Sequence, residues 1–193
     1  MAVTASAQAL EQPKFTVLRS TDVFELRHYA SHLVAEVVVP GPAMEAGNQA
    51  FPILAGYIFG KNKGERRFEM TAPVTQTAAT AAVKIEMTAP VMQTPASHGF
   101  IVQFMMPGTY TLATLPEPLD PRVKLREVPE QTVAAITYSG TWSQSNYDEH
   151  LERLRKALEQ AGVETQGEPV YSRYNPPFTP WFLRTNEIGF RVK

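Results

Sequence analysis

A six-residue string, EMTAPV, occurs twice in this chain, at residues 69–74 and again at 86–91, so that Glu86 repeats Glu69 at an offset of 17 residues. Both copies alternate apolar and polar side chains, which is the period-two pattern of a half-buried β-strand. The proline in each copy cannot donate to a neighbouring strand, so it belongs at an edge, a bulge or a strand end. With the small residues 78–82 as a connection, the repeat predicts a long hairpin.

The apolar face of that hairpin carries one methionine from each copy, Met70 and Met87. Two copies are too few, and their offset too short, for a solenoid. One interpretation is a duplicated hairpin with a structural role only. The alternative is that the two methionines line a pocket, because the flexible thioether side chain suits adaptable ligand-binding surfaces.

Composition and charge argue against several classes of protein. The 193 residues fit one domain or two small similar halves. The net charge of −1, from 18 basic and 19 acidic residues, argues against a nucleic-acid partner. The absence of cysteine excludes disulfides, thiolate catalysis and cysteine-ligated metals. No apolar run reaches the ~18 residues of a membrane span, and the N-terminus lacks a signal peptide's features. We expect a flexible lead-in over residues 1–14, a single domain over 15–193 and a cytoplasmic location.

Strand and helix patterns follow each other in an order that repeats. The first half has strand signals at 15–29 and 32–39, a helix at 42–59, the duplicated segment and a strand at 99–106. The second half has strands within 125–140, a helix that begins near Ser145 and stops at Gly162, and strands at 170–174 and 187–192. A helix among antiparallel strands in each half predicts an α+β fold.

His28 is the sharpest single candidate for chemistry. It shares the apolar face of its strand with Phe24 and Leu26, where a neutral imidazole would be able to ligate iron beside a large flat ligand. The alternative is a half-buried histidine that is hydrogen-bonded to a neighbour. His32 shares a strand face with Glu36 and is expected to be solvated. No zinc-protease motif, phosphate loop or nucleophile elbow is present, so a classical hydrolase has little support.

The first helix presents a wide apolar surface. Phe51, Leu54 and Ile58 recur at helical spacing, either as ordinary core or as one wall of a porphyrin groove. Pro52 within that stripe predicts a kink or a restart of the helix. The basic cluster that follows, which includes Lys61 and Arg67, is either a solvated loop or a set of partners for the propionates of a tetrapyrrole.

Four segments together resemble the SOUL/heme-binding protein family, in its bacterial type with a duplicated MTAPV motif. They are FELRHY at 24–29, AGNQAFPILAGYIFGKN at 46–62, the two MTAPV strings, and YNPPFTPWFLRTNE at 174–187. The resemblance implies a distorted antiparallel β-barrel with two helices, built from two pseudo-symmetric β-α-β-β halves. It also implies binding of heme (iron protoporphyrin) or a related tetrapyrrole.

The resemblance further implies two different heme sites. In one branch of the family an axial histidine falls in the R-H-Y segment, where this chain has His28. In another branch the heme lies in an apolar groove beside the first helix, where this chain has Phe51, Leu54 and Ile58. The family is also similar to GyrI-like effector-binding domains, which bind diverse small molecules.

Three hypotheses follow for the function. The first is a non-catalytic, cytoplasmic heme-binding protein, monomer or homodimer, that carries, buffers or delivers tetrapyrrole. The residues expected to bind the cofactor are His28, which is also the metal ligand, and Phe51, Leu54, Ile58, Met70, Met87, Lys61 and Arg67. The second is a heme-dependent or GyrI-like enzyme, which needs Glu69 or Glu86 turned inward. The third is a binding module for another apolar ligand.

Overall fold

The computed structural model describes residues 12–41, 43–68, 74–79, 99–175 and 178–193. These residues form an α+β fold, as the sequence predicts. In chain order the elements are β1 (Phe15–Ser20), β2 (Glu25–Tyr29), β3 (His32–Pro40), α1 (Ala43–Ile58), β4 (Val74–Ala79), β5 (Gly99–Met105), β6 (Lys124–Val128), β7 (Gln131–Tyr138), α2 (Gln144–Gln160), β8 (Thr165–Arg173), a 3-10 turn (Trp181–Leu183) and β9 (Asn186–Val192).

The nine strands form one antiparallel sheet in the order β1-β2-β7-β9-β8-β4-β5-β3-β6. This order is symmetric about the β8–β4 pair, because β9 and β7 follow on one side as β5 and β3 do on the other. Helix α1 joins β3 to β4, and α2 joins β7 to β8 in the same way. The two β-α-β-β halves implied by the family resemblance are therefore confirmed.

Two short connections force the sheet to curl. Only Ala30 and Ser31 separate β2 from β3, although six strand spacings separate them in the sheet order. Three peptide steps reach at most about 11 Å, whereas six spacings in a flat sheet would span about 29 Å. The link between β6 and β7 imposes the same constraint. The sheet is accordingly a curled half-barrel, and β1 and β6 are its two edges among the described strands.

The two helices cover the outer face of the sheet and bury separate cores. Helix α1 packs on β3, β4 and β5, and α2 packs on β7 and β9. The core beneath α1 is centred on Val37, Leu54 and Val102, and the core beneath α2 on Leu154 and Ile188. Among the described residues, no helix is long and apolar enough to span a membrane.

The ends of the helices differ in detail from the sequence prediction. The N-cap of α2 is Ser143 rather than Ser145: its extended backbone directs the side-chain oxygen to the amide of Asn146 at 3.4 Å. Gly162, at φ 66°, follows the C-cap as expected, because glycine adopts the left-handed conformation without strain. Helix α1 is continuous through Pro52, so of the two alternatives predicted there, a kink or a restart, the restart is wrong.

Val74, the last residue of the first copy, begins β4, which continues through Ala79, so Ala78 and Ala79 belong to a strand and not to the predicted connection. Both edges of β4 are occupied, one by β5 and the other by β8. Over Val74–Ala79 the pairing partner is therefore not the second copy, contrary to the predicted hairpin. The second copy, with Met87 and Glu86, lies outside the described residues, as do Glu69 and Met70.

Candidate ligand-binding site

The inner face of the curled sheet encloses an open cavity of about 480 Å³. Every strand except β1 contributes to its wall, so the cavity follows directly from the curl. Polar and apolar side chains share its lining, and the largest aliphatic and thioether side chains in it are Val34, Ile101, Met105, Val128, Val133 and Val170.

Strand alternation decides which residues reach the cavity. On β3, Ala35 and Val37 face α1, so Val34 faces the cavity. On β9, Ile188 faces α2, while Gly189 forms part of the cavity wall. A side chain at Gly189 would bring its Cβ within 2.8 Å of Val133 Cγ1. The glycine therefore lets β9 and β7 approach and leaves this part of the wall open.

A row of polar side chains crosses the inner face at one level. Strand register places Glu36 opposite Gln103, Gln103 opposite Thr75, Thr75 opposite Ser172, and Ser172 opposite Glu187. One row further along, register aligns Ile101, Thr77, Val170 and Gly189, which are mainly apolar. The cavity therefore has a polar belt beside an apolar floor.

At one end of the belt, Glu36 binds two neighbouring side chains. Its carboxylate accepts hydrogen bonds from Arg126 Nε at 3.1 Å and from Gln103 Nε2 at 2.7 Å, and Arg126 Nη2 lies 3.0 Å from the same oxygen. Thr75 in turn donates to Gln103 Oε1 at 3.2 Å. The Arg126 side chain is 50% exposed, so it marks the rim of the cavity rather than its interior.

At the other end, Arg27 and Glu187 form a buried ion pair. Arg27 Nη1 lies 2.5 Å from Glu187 Oε2, and the two side chains are only 10% and 8% exposed. The Tyr174 hydroxyl donates to Glu187 Oε1 at 3.2 Å, and Arg27 Nη1 also donates to the Tyr29 hydroxyl at 3.3 Å. Burial by itself would lower the pKa of Arg27, but Glu187 and Tyr29 outweigh it, and the net pKa is raised.

His32 is a cavity residue that the sequence analysis treated as solvated. Its Nδ1 lies 3.0 Å from the carbonyl oxygen of Ala30, and the side chain lines the cavity next to Val34. The parity argument that paired it with Glu36 was correct. The bond to Ala30 is exposed and His32 is only half-buried, so the imidazole is accessible to solvent, as expected, while it forms part of the cavity wall.

His28 lies on the outer face of the sheet, away from the cavity. Its strand neighbour Leu26 packs into the core under α2, as the shared apolar face predicts. Its Nδ1 is 3.3 Å from Thr132 Oγ1, its Nε2 is 3.8 Å from a Glu130 oxygen, and its side chain is 41% exposed. The imidazole is thus half-buried and partnered on one side.

The three residues proposed as a groove wall on α1 have different environments. Leu54 and Ile58 are 0% and 2% exposed and belong to the core between α1 and the sheet. Phe51 is 39% exposed, and its ring lies edge-on to that of Phe104, with centroids 5.6 Å apart. Of the three, Phe51 is accessible to a ligand on the outer surface without a rearrangement of the core.

Two of the remaining predicted residues follow the end of α1, and the other two lie outside the described residues. Lys61 and Arg67 are both exposed, and the backbone of Lys61 pairs with Gly56 and Leu119. Met70 and Met87 lie outside the described residues. The predicted set is therefore spread over the outer face, and none of its described members lines the cavity.

Comparison with known proteins connects this fold to one family. The sequence model of the SOUL heme-binding protein family matches residues 10–191. A mouse protein, heme-binding protein 2, is 25% identical over 96% of this chain and 92% of its own length. The crystal structure of the EcmrR C-terminal domain superposes with a TM-score of 0.62 at 12% identity, covering 88% of this chain and 96% of that domain. A hydrolase from Listeria innocua superposes at 0.60 and 13% identity, covering 89% and 92%.

Proposed function

This chain belongs to the SOUL heme-binding protein family, and on that premise we propose that it binds heme or a related tetrapyrrole in the cavity on the inner face of the sheet. The observation that carries the proposal is the cavity itself, with about 480 Å³ of space between apolar walls and a polar belt. Small-molecule sites typically have roughly 300–1,000 Å³, mostly apolar walls and a few polar groups that fix orientation.

The lining residues fit the chemistry of a flat apolar dicarboxylate that carries iron. Valine and isoleucine side chains provide contacts for the ring faces. Arg126 and Arg191 at the margin provide guanidinium groups, which bind carboxylates with charge-assisted hydrogen bonds. His32 and Met105 are the soft side chains in the wall that suit an axial position. When bound, heme supplies a redox-active iron with axial coordination positions.

We place the axial ligand at His32 in preference to His28. His32 lines the cavity, and its Nε2 is the nitrogen left for a ligand because Nδ1 is held by the Ala30 carbonyl. His28 remains the alternative. With His28 as ligand, the heme would lie on the outer surface, where Lys61, Arg67 and the α1 wall belong to the other half of the fold.

The α1 surface is a second possible location for the same ligand. Phe51 would contribute its exposed edge there, and Lys61 and Arg67 would face the propionates. Leu54 and Ile58 would have to leave the core to touch it, because both are fully packed. The cavity needs no such change, which is why we favour it.

The proposed role is carriage, buffering or delivery of tetrapyrrole. The cavity is open on one side, so that a ligand enters and leaves without unfolding the sheet. Exposed sites with one protein ligand favour exchange over permanent retention. A module for another apolar ligand would use the same cavity and would bind without an iron–histidine bond.

A hemin titration with absorption spectroscopy tests the proposal. The native protein should give a saturable Soret shift at one heme per chain. His32→Ala should change the position of the band or weaken binding, whereas His28→Ala, the matched control on the opposite face, should leave both unchanged. The reverse pattern would place the iron at His28. The absence of any saturable shift in the native protein would overturn heme binding.

A further inference from the structure

The carboxylate of Glu187 is part of the cavity wall, and both of its oxygens accept hydrogen bonds from protein side chains. Oε2 accepts from Arg27 Nη1 at 2.5 Å and from Thr137 Oγ1 at 3.3 Å. Oε1 accepts from the Tyr174 hydroxyl at 3.2 Å. With its charge balanced by Arg27 and its oxygens bonded, this acid offers little to a positively charged ligand.

Both ends of the Arg27 side chain also have partners. Arg27 pairs with Val133 across the strands and so lies on the inner face, beside the residues that line the cavity. Its Nε donates to Glu25 at 2.8 Å, and its guanidinium carbon sits 4.7 Å from the centre of the Phe15 ring. Through Nη1 it also donates to the Tyr29 hydroxyl, which does line the cavity. Because that bond uses Tyr29 as an acceptor, the phenol keeps its own hydrogen as a donor. This end of the wall therefore presents a donor and no free carboxylate.

We propose that the Arg27–Glu187 pair sets the charge selectivity of the cavity, so that it binds apolar ligands bearing a carboxylate or another negative charge and excludes apolar cations of the same size. Removing Arg27 would leave a buried anion in the wall, which attracts cations. Removing Glu187 would leave a buried cation beside it, which attracts anions. Other charged lining groups, such as Arg191 and Glu168, are exposed and screened by solvent and salt.

This inference rests on the proposed function in using the same cavity, but it needs no iron. Tetraphenylborate and tetraphenylphosphonium are suitable probes because they are nearly identical in shape and opposite in charge. Calorimetric titration of the native protein should give higher affinity for the borate than for the phosphonium. Each single variant leaves one unbalanced charge in a partly desolvated site, which should change that ratio on the order of tenfold or more.

The two single variants should move this ratio in opposite directions. Arg27→Gln should raise affinity for the phosphonium and lower it for the borate, and Glu187→Gln should do the opposite. A merely structural role would change both affinities alike. Arg122→Gln, the same substitution at an exposed ion pair with Asp120 outside the cavity, is the matched control and should leave the ratio unchanged. If Arg27→Gln does not fold, as judged by circular dichroism, Glu187→Gln still tests the proposal.

Two failures are distinguishable in the same samples. A native protein that binds hemin but shows equal affinity for the two probes, with a ratio unchanged in both variants, would overturn the charge selectivity alone. A native protein that binds neither probe nor hemin would overturn the cavity as a ligand site, and the selectivity with it. A ratio that favours the borate and inverts in Arg27→Gln supports both.

Discussion

His28 and His32 are separated by three residues in sequence and lie on opposite faces of the sheet. His28 is on the outer face beside the core under α2, and His32 is on the cavity wall. The chain passes from β2 to β3 over two residues while crossing from one half of the fold to the other. The two histidines considered as iron ligands are therefore close in sequence but belong to two different sites.

Tyr138 and Tyr57 should respond oppositely to loss of the hydroxyl. The Tyr138 hydroxyl is buried and meets no hydrogen-bond partner among the described residues, whereas Tyr57 donates to the Pro116 carbonyl at 2.9 Å. Tyr138→Phe should raise the free energy of unfolding by about 1 kcal/mol, and Tyr57→Phe should lower it by a similar amount. Urea denaturation of both variants measures this. A loss in Tyr138→Phe would mean that the hydroxyl has a partner.

Replacing one member of the Arg27–Glu187 pair should lower the free energy of unfolding more than replacing both. Arg27→Met leaves the Glu187 carboxylate buried without its cation, and should lower the free energy of unfolding by about 3–5 kcal/mol. The double variant Arg27→Met/Glu187→Met removes both charges and should be less destabilised than either single variant. A double-mutant cycle by chemical denaturation gives the coupling. Additive losses would show that the two charges do not depend on each other.

Alkaline pH should destabilise the fold through its buried tyrosines. Burial, with a smaller contribution from Tyr110, raises the pKa of Tyr57 to about 12. Burial likewise raises the pKa of Tyr147 and Tyr171. The folded state therefore holds these protons more tightly than the unfolded chain, whose phenols ionise near pH 10.

The sign of that effect follows from proton linkage. The contribution is fully present below about pH 10 and is lost as pH rises through the folded pKa, near 12 for Tyr57. Stability measured by denaturation at pH 9, 10 and 11 should fall over this series. In Tyr57→Phe the fall should be shallower, because one titrating group is gone. An equal slope in both proteins would show that Tyr57 does not titrate differently in the two states.

The fold was largely predictable because its signals are local. Period-two alternation identifies β3 and β5, and helical spacing identifies α1 and α2, from a few residues each. The cap of α2 was misplaced by two residues because Ser143 and Ser145 are chemically equivalent caps, and only the backbone conformation separates them. The pairing of β4 was missed because it depends on β8, which lies far away in the sequence.

The site was less predictable, for a different physical reason. Alternation separates the two faces of a strand but does not tell which face a helix covers and which face lines a cavity. In the sequence, Leu54 and Ile58 are equally compatible with a core position and with a groove wall. In the structure both are packed in the core between α1 and the sheet. The Arg27–Glu187 contact joins residues 160 apart in sequence, so no local sequence pattern predicts it. Curling of the sheet, set by two short links, creates the site.

Hemin titration of Val170→Trp tests the central claim, that the ligand occupies the cavity, most directly. Val170 lines the cavity between Thr77 on β4 and Gly189 on β9, so an indole there fills the space a tetrapyrrole needs. Phe51→Ala on the outer face of α1 is the matched comparison. The account predicts that Val170→Trp loses saturable binding while Phe51→Ala keeps the native Soret shift and affinity. Native binding in folded Val170→Trp, with loss in Phe51→Ala, would contradict it and place the ligand beside α1.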